Sequence, residues 1–280
     1  MSRRDQTHEG VDGELTQDTR IGDQSLTTWH SRLGRHLADL VHWLSDRLGP
    51  NGALILTLVF GALLVVALSV AAAQVYDNVT DADGVAGLDK PLLAFAMTLR
   101  SPFLNAIVVV YTEIAGPIGM PIIAVTALLV LAIHRRSWTP VILIVAAGGG
   151  SLLMTVAGKD LIGRARPALA DAVPPFEFSP SFPSGHTLNA VAVVGVIAYL
   201  LILRQKTTRA RVLTVGAAVL FAITIGLTRV YLGHHWFTDV LAGWVLGAAW
   251  LAVVVTAHRL YLTVRTRRHE RRRAHPPVAV

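Results

Sequence analysis

Apolar positions follow two different patterns along this chain. Leu26, Trp29, Leu33, Leu37, Leu40, Leu44 and Leu48 recur at three- and four-residue steps, with Arg32, Arg35, Asp39 and Asp46 between them. That period predicts an amphipathic helix, ended by the Pro50-Asn51-Gly52 turn and lying on the membrane surface or docked on the rest of the protein. Beyond it the pattern becomes long apolar runs, roughly 53–75, 105–133, 138–158, 185–203, 212–228 and 239–259. A helix needs about 20 apolar residues to cross a ~30 Å hydrocarbon core, and the stretch Ala53 to Ala73 contains no charged residue. The fifth run is the shortest. The pattern therefore predicts an all-α, polytopic membrane protein with six transmembrane helices.

Residues 1–24 are polar, mixed in charge and without hydrophobic period, and are expected to be disordered. The predicted organisation is a cytoplasmic N-terminal region (1–50), a six-span domain (51–260) and a basic cytoplasmic tail (261–280). About fifty mostly polar residues precede the first span, so no cleavable signal peptide is expected.

Composition agrees with this class. Hydrophobic residues make up 53% of the chain and charged ones 15%, and the mean hydropathy is +0.53. Cysteine is absent, which removes disulfides and thiol chemistry. A net charge of +7 invites a nucleic-acid reading, but the placement of the charge argues against one. With both termini in the cytoplasm, nineteen of the 25 lysines and arginines fall in inner segments and six in outer ones. That is the positive-inside bias of a cell (inner) membrane protein. The block from Arg265 to Arg273 is expected to contact anionic headgroups.

Three polar clusters interrupt the apolar pattern: Lys159 with Arg166 and Pro167, the run Pro183-Ser184-Gly185-His186, and Arg229 followed by His235 and Asp239. Under this topology all three lie at the outer face. Charge beside a membrane is costly and tends to be functional. A phosphoryl group in transfer carries negative charge on its equatorial oxygens, and Lys159, Arg166 and Arg229 would clamp it. Ser184 and Gly185 stand at a helix start, where free N–H groups favour an anion. Asp239, four residues after His235, would share a helical face with it, fix its tautomer and leave the other nitrogen to attack phosphorus. His186 would protonate the departing oxygen. His234 competes for the nucleophile's role but is set five residues from Asp239. Arg164 reads as solvated or as a headgroup contact, and Glu113, inside the second run, as a buried carboxylate in need of a partner. The same charges taken singly would also serve as salt-bridged helix ends.

The three clusters resemble the type-2 phosphatidic acid phosphatase superfamily, whose pattern is Lys, six residues, Arg-Pro; then Pro-Ser-Gly-His; then Ser-Arg, five residues, His, three residues, Asp. Lys159 to Pro167, Pro183 to His186, and Arg229, His235 and Asp239 match it, with Thr228 standing where the family has serine. The resemblance covers roughly residues 53–260. It implies phosphate binding by Lys159, Arg166, Ser184, Gly185 and Arg229, a phosphohistidine on His235 oriented by Asp239, and His186 as general acid. It implies no metal and no cofactor. The expected activity is hydrolysis of a lipid phosphate or diphosphate: phosphatidic acid, phosphatidylglycerol phosphate, or a polyprenyl phosphate or diphosphate. The alternatives are a phosphotransferase with an alcohol acceptor, and a non-catalytic lipid-phosphate transporter or binding protein. The oligomeric state is left open.

Overall fold

A computed structural model describes residues 14, 15, 17–79 and 85–274. Apart from a small antiparallel hairpin, Arg20–Ile21 (β1) with Gln24–Ser25 (β2), regular structure among the described residues is helical. The helices are α1 (Arg32–Val79), α2 (Asp89–Thr98), α3 (Pro102–Thr112), α4 (Gly119–Arg135), α5 (Thr139–Ile162), α6 (Gly185–Arg204), α7 (Thr208–Tyr231) and α8 (Phe237–Ala274).

Four of them, α5 to α8, contain stretches long and apolar enough to cross a membrane. The run 105–133 is not one straight helix. It is α3 and α4 set at 45° to each other, a fifth span if counted together. The break runs through a short 3-10 turn, Glu113–Ala115, and the Gly116-Pro117 pair after it. Pro117 has no N–H to continue a helical ladder. The run 53–75 lies in the second half of α1, where Gly52–Leu63 forms a shorter apolar helix.

α1 changes direction at Gly49, which adopts φ 77°, ψ 166°, a conformation costly for any residue with a Cβ. The break therefore precedes the expected Pro50-Asn51-Gly52 turn. The segment before it is docked on the bundle: Ala38 and Val41 are buried with Leu260 and Val264 of α8. The indole of Trp29 donates to Thr263 Oγ1 at 3.1 Å. Leu40, Trp43 and Leu48 remain exposed on its other side.

α6 is central and packs against α5, α7 and α8. Small residues make these crossings close. A side chain at Gly150 of α5 would overlap the ring of Trp250 in α8, which is buried and donates to Ala146 O at 3.1 Å.

The N-terminal segment departs from expectation. Residues 1–13 lie outside the described residues, but from Glu14 the chain is folded onto the ends of α4, α6 and α8. Asp18 is 1% exposed and accepts from Arg135 at 3.2 Å and Arg204 at 3.0 Å. Glu14 accepts from Ser137 and pairs with Arg265 at 3.5 Å. The segment lacks an apolar period because ion pairs hold it in place.

Candidate active site

All three polar clusters gather at the opposite end of the bundle from Asp18. Lys159 lies in the last turn of α5, which ends at Gly163 in the left-handed conformation (φ 63°). The chain then crosses the bundle end as the loop 163–184. Hydrogen bonds from Val173 N to Leu232 O and from Ser181 N to Arg164 O, both 2.8 Å, pin that loop. Arg229 belongs to the last turn of α7. α8 begins at Phe237, and Asp239 in its first turn accepts from Trp236 N at 2.9 Å, satisfying a free N–H at the helix start. α6 starts at Gly185 directly after the loop.

His235 is 1% exposed. Its Nε2 is 3.2 Å from Arg166 Nη1, and its Nδ1 is 3.6 Å from Asp239 Oδ2. The two side chains therefore face each other as expected, but not on one helical face. His235 precedes α8, and their separation is long for a hydrogen bond. Asp239 is held by other donors instead: Arg164 Nη1 to Oδ1 at 2.5 Å, and the Ser181 hydroxyl and Trp236 N to Oδ2. Burial, opposed by Asp239 and reinforced by Arg229 and Arg166, lowers the His235 pKa to about 4. The ring is thus neutral at pH 7, with Nε2 directed at the cations.

Arg166 touches that nitrogen, and the other two cations are held near it by the same loop. Arg166 donates from Nε to Ser179 O and pairs through Nη2 with Glu177 Oε2 at 2.8 Å. Arg229, 1% exposed, donates to Thr112 Oγ1 at 3.2 Å and pairs with Glu177 Oε1. Lys159 Nζ donates to Ser179 Oγ and Pro180 O, both at 2.7 Å. Arg229 Nε and His186 Nε2 are buried without a hydrogen-bond partner. A Cβ at Gly116 would lie 2.8 Å from Glu113 Oε2 and 3.3 Å from His186 Nε2. Glu113 is exposed rather than buried as expected, and its carboxylate and the ring of His186 border one small space at the break between α3 and α4.

Two expectations change in detail. The Ser184 hydroxyl bonds Thr187 Oγ1 at 2.9 Å, within the first turn of α6, rather than facing the cations. The Thr228 hydroxyl bonds Thr112 Oγ1 at 3.0 Å and so acts beside Arg229, through the same threonine. Gly185 packs close to Thr155, where a Cβ would meet Cγ2 at 3.0 Å. His234 is buried, and its Nε2 bonds Val173 O at 2.7 Å, pointing into the loop.

Several contributors carry no site role in the sequence reading. Arg164 is neither solvated nor free for a headgroup: it bridges Asp239 to Asp89 (2.7 Å), and Asp89 also accepts from Thr238 N at 2.8 Å. Ser181, Thr112 and Glu177 complete the set. Arg164 and Ser181 stand two residues from motif residues Arg166 and Pro183, which was the available signal. Glu177 is the only acidic residue between Asp171 and Asp239. Among the described residues, no three His, Asp or Glu side chains converge as a metal-ligand group.

Comparison with known proteins places these residues in context. A sequence model of the PAP2 superfamily matches residues 137–261. Phosphatidylglycerophosphatase B of Bacillus subtilis (strain 168) is 34% identical over 168 residues, covering 59% of this chain and 80% of that protein. An undecaprenyl-diphosphatase of Sulfolobus acidocaldarius is 36% identical over 72 residues, covering 26% of this chain and 30% of its own length. The crystal structure of a transmembrane PAP2-type phosphatidylglycerolphosphate phosphatase from Bacillus subtilis aligns with a TM-score of 0.59 at 29% identity, covering 69% of this chain and 92% of that one.

Proposed function

The chain belongs to the PAP2 superfamily, within its membrane lipid phosphatases, and we propose that it hydrolyses a terminal lipid phosphate through a phosphohistidine. The observation that carries this reading is the setting of His235. It is a buried, neutral imidazole whose Nε2 lies 3.2 Å from Arg166 and whose Nδ1 side faces Asp239.

In the proposed reaction Lys159, Arg166 and Arg229 clamp the phosphoryl oxygens, helped by the free N–H groups at Gly185 and His186 where α6 begins. His235 Nε2 attacks phosphorus in line with the departing oxygen. Asp239 faces Nδ1 at 3.6 Å beside the Ser181 hydroxyl at 3.4 Å, and balances the charge that develops on the ring. His186, as the imidazolium favoured by the negative charge of the bound phosphate, gives a proton to the lipid oxygen as its P–O bond breaks. The lipid alcohol leaves, and His186, now a base, takes a proton from water. That water attacks phosphorus as the P–N bond breaks, releasing inorganic phosphate and restoring His235 and protonated His186. The chain itself supplies the positive charge, and we propose that turnover needs no metal.

The first substrate to test is phosphatidylglycerol phosphate, the class named for the Bacillus subtilis relatives. Phosphatidic acid and polyprenyl phosphates or diphosphates follow. We also propose that the domain 51–260 has six spans, with the site at the outer surface of the inner membrane and both termini in the cytoplasm. The gathering of all three clusters at one bundle end supports this, together with the charge bias toward the other. The test is phosphate release by detergent-purified protein from that panel, with and without EDTA, beside His235→Ala. Release confined to one class, unaffected by EDTA and lost in the variant, is expected. Release that survives His235→Ala contradicts the assignment of the nucleophile.

A further inference from the structure

Resting on the phosphate-site reading above, we infer that Glu177 is an internal competitor for the phosphate position, and that its carboxylate makes the site select doubly charged terminal phosphates over singly charged phosphodiesters.

The carboxylate sits where a bound anion would sit. One oxygen pairs with Arg229 Nη2 and the other with Arg166 Nη2 at 2.8 Å. The first oxygen is also 3.7 Å from His234 Nδ1, and the second 4.0 Å from His235 Nε2. The two arginines proposed to clamp phosphate are thus bridged by a planar carboxylate in front of the proposed nucleophile. Arginine forks accept carboxylates and phosphates in the same geometry.

The loop around Glu177 is arranged to release it. Its flanks are fixed by the Val173 and Ser181 backbone bonds and by Lys159 and Arg166, which hold Ser179 and Pro180. Between those anchors Glu177 is 29% exposed at its side chain, although its partner Arg229 is 1% exposed. Phe176 and Phe178 on either side are exposed as well, Phe178 at 83%. Rotation of one side chain toward the open side clears the cations, with the loop backbone left in place.

Charge then decides what can displace it. A phosphate monoester carries about −1.5 to −2 at pH 7, whereas a diester carries one negative charge, no more than the carboxylate it would replace. A monoester gains attraction to the arginines on exchange, and a diester gains none. A membrane is made largely of phosphodiester lipids, so a resident carboxylate keeps the common headgroup out. The apparent affinity for any anion falls by the fraction of molecules in which Glu177 occupies the cations.

The experiment uses full-length detergent-purified protein and inorganic phosphate as probe. Calorimetric titration is expected to show Glu177→Gln, and independently Glu177→Ala, binding phosphate about tenfold or more tightly than wild type. Micellar phosphatidylglycerol, a diester, should displace phosphate from both variants and not from wild type. Melting supplies a second readout: both variants should melt below wild type without phosphate and gain more from adding it. Equal or weaker phosphate binding by the variants, or equal displacement by the diester in all three proteins, overturns the role of Glu177. Absence of phosphate binding in every protein overturns the phosphate site itself, and with it this inference.

Discussion

At each end of the bundle one carboxylate bridges two arginines, and the two bridges differ in what surrounds them. At one end Asp18 joins Arg135 to Arg204, with Asp18 and Arg135 only 1% and 2% exposed. Arg135 also donates to Leu200 O. At the other end Glu177 joins Arg166 to Arg229 but is 29% exposed, borders His235, and lies on an irregular loop. Chemically the motif is the same. The sealed bridge ties the N-terminal segment to the bundle, where breaking it would strand buried charge. The open one is partly exposed, and its carboxylate lies 4.0 Å from Nε2 of His235. Charge alone therefore does not identify a site; accessibility beside a group able to act as a nucleophile does.

That contrast can be pressed from both ends. The largest effect is expected from Asp239→Asn, which keeps shape but removes the carboxylate proposed to set the His235 tautomer. Phosphate release should fall on the order of 10³- to 10⁴-fold, with phosphate affinity changed far less. A loss below tenfold in kcat would remove Asp239 from the mechanism. Next comes Asp18→Asn, which leaves Arg135 and Arg204 without their carboxylate. It should cost about 3 kcal/mol of stability, read as a lower midpoint of thermal inactivation, while the folded fraction keeps its turnover and phosphate affinity. Altered phosphate affinity in that variant would mean that the two bridges are not independent.

The smallest effect is spectroscopic. Because burial and the two arginines depress His235, its ring should stay neutral as pH falls through 6.5 and take up a proton only near pH 4. In the proposed mechanism the neutral ring attacks, so the acid limb due to this group belongs near pH 4. Histidine-selective NMR titration, assigned with His235→Asn, checks this. A midpoint near 6.5 would mean that the ring is solvated and unclamped.

Much of this was legible before any coordinates. Apolar run length identified the helices α5 to α8, because a hydrocarbon core demands that length of any span. Motif spacing picked out Lys159, Arg166, Arg229, His235 and Asp239, which do converge. Other features depend on contacts that spacing does not encode. The break between α3 and α4 sits inside a run whose apolar content is continuous past Gly116-Pro117. The placement of residues 14, 15 and 17–25 depends on Asp18 meeting arginines 117 and 186 residues away. The tie from Arg164 to Asp239 and Asp89 spans 75 residues in each direction. Helical arithmetic assumes that His235 and Asp239 share a helix, but α8 starts only at Phe237 and the two face each other across 3.6 Å. Glu177 carries no motif at all, and only its position between two arginines gives it meaning.

The central claim is that the end of the bundle holding His235 performs covalent phosphoryl transfer. The direct measurement is rapid quenching of the protein with a substrate labelled in its terminal phosphate, followed by peptide mapping. The account predicts an acid-labile, base-stable label on His235 that disappears in His235→Ala. Turnover with no label trapped at any quench time, or a label on another residue, would contradict it.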